Sequence, residues 1–407
     1  MQVLVISSVW VEPNSSAAGS RMLQLLQLFK AQQWDICYVS TAAPSVHSID
    51  LATIGIATKQ VALNASSFDD FIKELQPNLV LFDRFMVEEQ FGWRVATYCP
   101  NAIRILDSED LHSLRRARQD AFKKGIAFET EQLLTDTALR EIASIYRCDL
   151  TLIISEYEMK LLTQHFQVPD YLLYYLPFLL DKLDTVFPIY TTRTGFVTIG
   201  NFLHPPNWDA VRYLKTEIWS LIRKELPEAT LSIYGAYPSD KVFQLHDESS
   251  GFLVKGRVPD AMEVLQQAKI LLAPIRFGAG LKGKLIDGMQ AGTPSVTTPI
   301  GAEGIAGTLP WAGTIVTEPT PIAFAKAAIA LYKDVQQWEH AQQAGRTIVN
   351  TRFQKQEFAA RLINRIKKIQ SNLVQHRQLN FTGAMLQHHT MQSTKYMSRW
   401  IEEKNKG

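Results

Sequence analysis

The chain has 407 residues and a formal net charge of +2; 46% of its residues are hydrophobic and 20% charged. That composition excludes wholesale disorder, and the length fits two domains of roughly 150–200 residues better than one core. Three widely spaced cysteines, Cys37, Cys99 and Cys148, form no Cys-x-x-Cys pair, which argues against a disulfide scaffold or a zinc site and for a reducing compartment.

Met1-Gln-Val-Leu-Val-Ile-Ser7 lacks a basic region and is too short for a secretory signal. No run of about 18 apolar residues reads as a transmembrane helix. The expected location is cytoplasmic, with a peripheral place at the inner membrane face as an option. From the start, short runs rich in Val, Ile and Leu recur at 3–7, 36–40, 79–83, 103–107 and 150–155. Such runs read as strands of a parallel sheet, buried on both faces. Between the first two, 20–33 reads as a helix with Leu23, Leu26 and Leu28 toward the core. The pattern restarts with runs at 196–199, 231–234, 252–254, 270–273, 295–297 and 314–316. Asn207 stands where the N-cap of a helix over 210–224 is expected. Two β/α series predict an α/β protein of two Rossmann-like, doubly wound domains, 1–185 and 186–355, with a basic helical tail over 356–407.

The stretch Leu272-Ala-Pro-Ile-Arg-Phe-Gly-Ala-Gly-Leu-Lys-Gly-Lys-Leu-Ile-Asp-Gly-Met289 reads as strand end, Gly-rich turn and helix start, the helix beginning near Leu281. Free N–H groups and a positive helix end attract a phosphate, Lys282 and Lys284 add charge, and glycine permits close approach. Gly278-x-Gly280-x-x-Gly283 with Glu303 about twenty residues on matches a dinucleotide fingerprint, but it follows the fourth strand of its domain rather than the first. Gly278-x-x-x-x-Gly283-Lys284 begins a P-loop, yet Leu285 replaces the required Ser or Thr.

Five segments resemble, in order and spacing, the donor domain of the family 4 retaining glycosyltransferases of GT-B fold. They are Ile199-Gly-Asn-Phe-Leu-His-Pro-Pro-Asn-Trp-Asp-Ala210, Tyr234-Gly235, Lys255-Gly-Arg-Val-Pro-Asp260, the run from Phe277 to Thr298, and Gly301-Ala-Glu-Gly-Ile305. The match is to the branch carrying Gly-Ala-Gly-Leu-Lys, and it covers about 196–305. The resemblance implies a GT-B fold with a C-terminal helix crossing back to the first domain. It implies Gly200 and Asn201 near the donor phosphates, Arg257 and Val258 beside the base, and Asp287 in place of the glutamate that grips the ribose. A carboxylate suits a diol because it accepts two hydrogen bonds. It implies, too, that Gly278, Gly280, Leu281, Lys282 and Lys284 surround the diphosphate. The first glutamate of the family's Glu-x7-Glu pattern falls at Ala279, so this chain departs from it there.

In the first domain, Ser15-Ser-Ala-Ala-Gly-Ser20 resembles the family's small-residue loop, with Gly19 as the close-approach residue. Leu106-Asp-Ser-Glu-Asp-Leu-His-Ser-Leu-Arg-Arg-Ala-Arg118 places Asp107, Glu109, Asp110 and His112 at the carboxyl edge of the sheet, which faces the ligand crevice of open α/β domains. His112 and Asp110, with Lys284, are the candidate catalytic residues, since a histidine there bonds a sugar hydroxyl or moves a proton. The expected reaction moves a hexose-type sugar from a nucleotide-sugar substrate with retention, with no cofactor and no metal. The acceptor is a glycan, lipid-linked sugar, protein or RNA. Two rivals stand beside this reading: a sugar-nucleotide epimerase, and a degenerate GT-B protein that binds a polyanion. No acid occurs from Phe358 through Ile401, where Arg361, Arg365, Lys367, Lys368, Arg377, Lys395 and Arg399 lie, and Arg115, Arg116, Arg118, Lys123 and Lys124 form a second basic run. Both runs would attract an anionic surface.

Overall fold

A computed structural model describes residues 1–405, and the side chains of these apart from 389–391. Lys406 and Gly407, at the end of the expected tail, lie outside the described residues. The first sheet holds β1 (Gln2–Ser7), β2 (Asp35–Ser40), β3 (Ala57–Gln60), β4 (Leu79–Asp83), β5 (Ile103–Asp107), β6 (Leu150–Ile153) and β7 (Leu173–Tyr175), in spatial order β3-β2-β1-β4-β5-β6-β7. The second holds β8 (Thr194–Ile199), β9 (Leu231–Tyr234), β10 (Phe252–Gly256), β11 (Ala268–Ala273), β12 (Ser295–Thr297) and β13 (Gly313–Ile315), in order β10-β9-β8-β11-β12-β13. All strand pairs are parallel. β1 and β8 each lie where the strand order reverses, and in such sheets ligands meet the carboxyl ends at that point. The register Asp83↔Asp107 lines up two strand ends of the first domain there.

The edge strands β3 and β7 were not among the runs expected from the sequence. All four β3 residues are exposed, and Ala57-Thr-Lys-Gln60 has no apolar run to read. Partnership with β2 alone makes it a strand. The first helix spans Ala17–Ala31, its N-cap Ser16 accepting from Gly19 N–H. It buries Met22, Leu25, Leu26, Leu28 and Phe29, while Leu23 is half-buried.

Two helix starts differ from expectation. The helix expected from Ala210 begins at Pro205, runs to Tyr213, and continues through a wider turn at Leu214–Ile218 into Trp219–Glu225. A proline is pre-set for the first turn, so Asn207 is no cap but an inward-facing member of that turn. The Gly-rich segment turns helical at Gly283, two residues later than expected. Gly278 and Gly280 hold φ of +149° and +63°, values that keep the chain out of a right-handed helix.

Helices Pro321–Lys333 and Val335–Arg352 close the second domain; Lys355–Ser371 then returns to the first. It buries Leu362, Ile363, Ile366 and Ile369 among Val3, Val5, Leu25 and Leu179. The crossing is tied by Leu180 N–H to Phe353 O (2.8 Å) and Lys355 N–H to Leu180 O (3.0 Å). Leu373–Leu379 and Phe381–Lys404 follow, the last helix lying on Phe85–Tyr98 and Asp136–Arg147. Part of the basic tail is spent inside the fold: Arg377 pairs with Asp149 at 2.8 Å and Arg365 donates to Tyr171 O. No helix among the described residues is long and apolar enough to cross a membrane.

Candidate active site

β8 ends at Ile199, and the next residues turn sharply beneath the helix Gly283–Gln290. A Cβ at Gly200 would stand 2.7 Å from both Lys284 Nζ and Asn207 Nδ2. Lys284 Nζ donates to Asn207 Oδ1 (2.8 Å), and Asn207 Nδ2 donates to Asn201 O (2.9 Å). Gly200, Asn201, Asn207 and Lys284 therefore form one polar group at the switch point of the second sheet, beside a positive helix end. Part of the Lys284 side chain still meets solvent, but the protein packed around it pushes the ammonium down to about 7. Burial likewise lowers Lys282 to about 8 and raises the carboxyl of Asp287, one turn from Lys284, to about 7. A bound anion would restore the full charge of both lysines.

On the first domain, the carboxyl edge divides between structure and site. Asp107 is wholly buried and paired with Arg21, whose Nη2 donates to it at 2.9 Å and whose Nη1 donates to Leu176 O. It braces the sheet and does not face a ligand, contrary to its place among the edge candidates. Glu109 adopts φ +61°; burial raises its carboxyl to about 8. The strained loop brings Asp110 to Arg115 and within 3.6 Å of His112 Nε2. Burial alone would raise the Asp110 carboxyl, but Arg115, His112 and His204 outweigh it and hold it at about 2. Burial drives His112 down to about 3, so the imidazole is neutral. Neither Ser108 nor Asp110 caps the helix His112–Lys124. Glu141 does so from another helix, accepting His112 N–H (2.8 Å) and Ser113 N–H (3.0 Å).

The two halves meet directly. A Cβ on Gly280 would stand 2.8 Å from Asp110 Cβ, and one on Gly283 would stand 2.7 Å from Ala17 Cβ. Glu158, just past β6, accepts Leu111 N–H (3.0 Å) and Gly280 N–H (2.9 Å) through the same oxygen. One carboxyl thus ties the His112 loop to the Gly-rich loop, while its other oxygen is buried without a partner. Arg118 donates to Gly278 O (2.9 Å) and, in a fork, to Glu303 (2.8 and 3.0 Å). Glu303 is therefore an interdomain ion-pair partner rather than a ribose ligand. His204, at the start of its helix, feels Asp110 and Lys284 together, and burial lowers it to about 4.

Paired six- and seven-stranded parallel sheets, the Gly-rich helix start against the first domain, and a crossing C-terminal helix define the architecture. Structural comparison finds the same arrangement in sucrose-phosphate synthase from Thermosynechococcus elongatus, with a TM-score of 0.69 at 15% identity, covering 91% of this chain and 100% of that one. HepE of Anabaena, in complex with UDP and glucose, superposes with a TM-score of 0.67 at 12% identity over 90% and 99% of the two chains. A glycosyltransferase from Rickettsia africae gives 0.65 at 11% identity over 90% and 98%. The fold is GT-B. Residues 193–334, within the second domain, match the family described as "Glycosyl transferases group 1". No curated protein matches the chain.

In GT-B terms, the cleft edge of the second domain holds Gly200, Asn201, Gly278, Gly280, Leu281, Lys282, Lys284 and Asp287, and the opposed edge holds Asp110 and His112. Three expected residues stand apart from this group. The close approach at Gly19 is made by the backbone of Glu12, whose carbonyl oxygen would lie 2.2 Å from a Cβ there. Arg257 and Val258, in the turn after β10, lie toward Tyr237, whose hydroxyl crosses to the first domain and donates to Glu12 (2.7 Å). Asn207, which the sequence offered only as a helix cap, joins the site, as do His204 and Glu158, which were not singled out. His204-Pro-Pro-Asn207 directly after the first strand of its domain was a usable signal. Glu158, one of two glutamates on a short polar helix, offered none.

Proposed function

We propose that this chain is a glycosyltransferase that moves a hexose-type sugar from a nucleotide-sugar donor to an acceptor sitting against the first domain. The observation carrying this reading is the Gly200–Asn207–Lys284 group, a partly desolvated cation at a helix start and at the switch point of the second sheet. The diphosphate sits on the first-turn N–H groups of Gly283 and Lys284 and on the Lys284 ammonium. Asp287 reaches the ribose, and the base lies toward Arg257 and Val258. Gly280 N–H, already held by Glu158, belongs to the domain contact.

The reaction proceeds with retention and without a metal. The departing phosphate takes the acceptor's proton as the new bond forms on the same face, so no strong base is required. Neutral His112 orients an acceptor or sugar hydroxyl; ionised Asp110 and neutral His204 accept hydrogen bonds beside it. The contact of Gly280 on Asp110 excludes water from this chemistry. UDP is the first nucleotide to test, because HepE was solved with UDP and with UDP-glucose.

The test is a thermal-shift screen with UDP, GDP, ADP, TDP and their common sugars. A ligand at about 100 times its dissociation constant stabilises by roughly 2.7 kcal/mol. A shift with one nucleotide that disappears in Lys284→Ala supports the donor site. An equal shift in that variant refutes it. Product formed from the donor without any acceptor identifies an epimerase instead.

A further inference from the structure

The last helix, Phe381–Lys404, lies on the first domain by one narrow face. A Cβ on Gly383 would stand 2.1 Å from Tyr146 O, so backbone meets backbone there. Asn380 Nδ2 donates to Tyr146 O, and Gln387 Nε2 donates to Arg147 O at 3.0 Å. Arg94 Nη2 donates to buried Ser398 (3.0 Å). These contacts fall on one side of the helix at about 100° per residue.

The opposite side carries large apolar residues in water. Phe381, Met385, Tyr396 and Trp400 are 77%, 47%, 64% and 60% exposed. Their spacing of 4, 11 and 4 residues puts all four within roughly 100° of the helix circumference. The preceding short helix ends in exposed Leu379. These are two exposed apolar patches on one side of the helix, Phe381 with Met385 and Tyr396 with Trp400, separated by polar residues such as Gln392, and such patches mark an interaction site. Its chemistry selects one occupant. This side is convex, dominated by Phe, Tyr and Trp, and interspersed with Lys395 and exposed Arg399; Lys404 stacks its ammonium 5.3 Å from the Trp400 ring. Aromatic rings with polar edges beside cations whose stems can reach past them are what a membrane–water boundary accepts. The helix's own acids come at its end: Glu402 accepts Ser66 N–H, and Glu403 follows. Between Lys395 and the neighbouring helix runs a shallow, open hollow lined by Trp93, Thr97, Gln387 and Gln392.

We infer that the outward face of Phe381–Lys404 docks on an anionic lipid bilayer, with Phe381, Tyr396 and Trp400 entering the headgroup region and Lys395 and Arg399 meeting lipid phosphates. This surface is independent of the donor site, so it stands or falls separately from the proposed activity.

The experiment is co-sedimentation of the full chain with vesicles of phosphatidylglycerol and phosphatidylcholine, against vesicles of phosphatidylcholine alone. Binding is expected to the first only and to weaken with salt. Tyr396→Ser with Trp400→Ser should reduce it at least about tenfold, and Lys395→Gln or Arg399→Gln about fivefold each, the effect of one cation near an anionic surface. Both positions are exposed, so melting temperatures should match wild type and confirm folding. Absence of binding to the anionic vesicles, or undiminished binding by the aromatic variant, overturns the inference. So does a dimer in sedimentation velocity that the aromatic variant dissociates, because a second copy then covers the patches.

Discussion

Replacing Gly280 by alanine adds one methyl group at the point where the two domains touch. Gly280 has φ +63°, and an L-residue there costs roughly 1–2 kcal/mol. The methyl would stand 2.8 Å from Asp110 Cβ, against about 3.5–4.0 Å for carbons in contact. The cleft must open by about 1 Å, or the loop must withdraw as far. Either movement breaks the 2.9 Å hydrogen bond from Gly280 N–H to Glu158, worth about 1 kcal/mol to a protonated carboxyl and up to about 3 to an ionised one. The closed arrangement then loses roughly 2–5 kcal/mol, or about thirtyfold to a few thousandfold in population at 1.4 kcal/mol per tenfold. Single-turnover transfer should slow by at least the lower figure. The radius of gyration by small-angle scattering, measured with nucleotide present, should increase. Nucleotide affinity should stay within about threefold, since Gly200, Asn207 and Lys284 all belong to the second domain. Unchanged turnover and an unchanged radius would refute the contact as the determinant of closure. A parallel fall in nucleotide affinity would instead make Gly280 a ligand to the donor.

Lys284→Ala removes a cation hydrogen-bonded to Asn207; nucleotide diphosphate should bind about 10–100-fold more weakly by calorimetry, the value of a charged hydrogen bond. The same site should be sensitive to pH. Lys284 in the free protein loses its proton as pH rises through about 7, and the diphosphate requires the ammonium. Binding above that pH must therefore take up a proton, and affinity should fall by up to about tenfold per pH unit between pH 7 and 9. Proton uptake near pH 7 should be lost in Lys284→Met, leaving only the uptake by Lys282 at higher pH. His112 is held neutral by burial, far below its ordinary range. Turnover of wild type and of His112→Gln should therefore follow pH profiles of the same shape from pH 5 to 8, and an inflection near 6.5 lost in the variant would contradict this. Arg21→Ala leaves Asp107 buried and unpaired, so it should cost about 3–5 kcal/mol. That lowers the melting temperature by roughly 6–20 °C for a domain of this size; a change below about 2 °C would show that Asp107 does not depend on Arg21.

The strands most legible in the sequence were those buried on both faces, such as β1, β4, β5 and β11, because a continuous apolar run has few other places to go. β3 was illegible for the opposite reason, since its residues are exposed and its partner alone makes it a strand. The Gly-rich helix start, the donor half of the proposed site, was legible as well. Gly278, Gly280, Lys282 and Lys284 sit within seven consecutive residues, and a loop-to-helix anion site is a local device whose glycines and lysines must be neighbours in the chain.

The facing half was decided by tertiary structure. Asp107, Asp110 and His112 looked alike as polar residues past a strand end, yet Arg21, 86 residues away in sequence, turns Asp107 into a brace. Asn207 read as a cap until the helix began two residues before it and aimed it at Lys284. Glu158 became the tie between the loops only because β6 ends beside β5 and the second domain closes over both. Sequence alone thus determined two α/β domains and a Gly-rich helix start carrying two lysines, both set by short-range pattern. Which carboxylates serve the fold, which meet the cleft and which join the domains depends on long-range burial and pairing, set inside the first domain for Asp107 with Arg21 and by the meeting of the two carboxyl edges for Asp110 and Glu158.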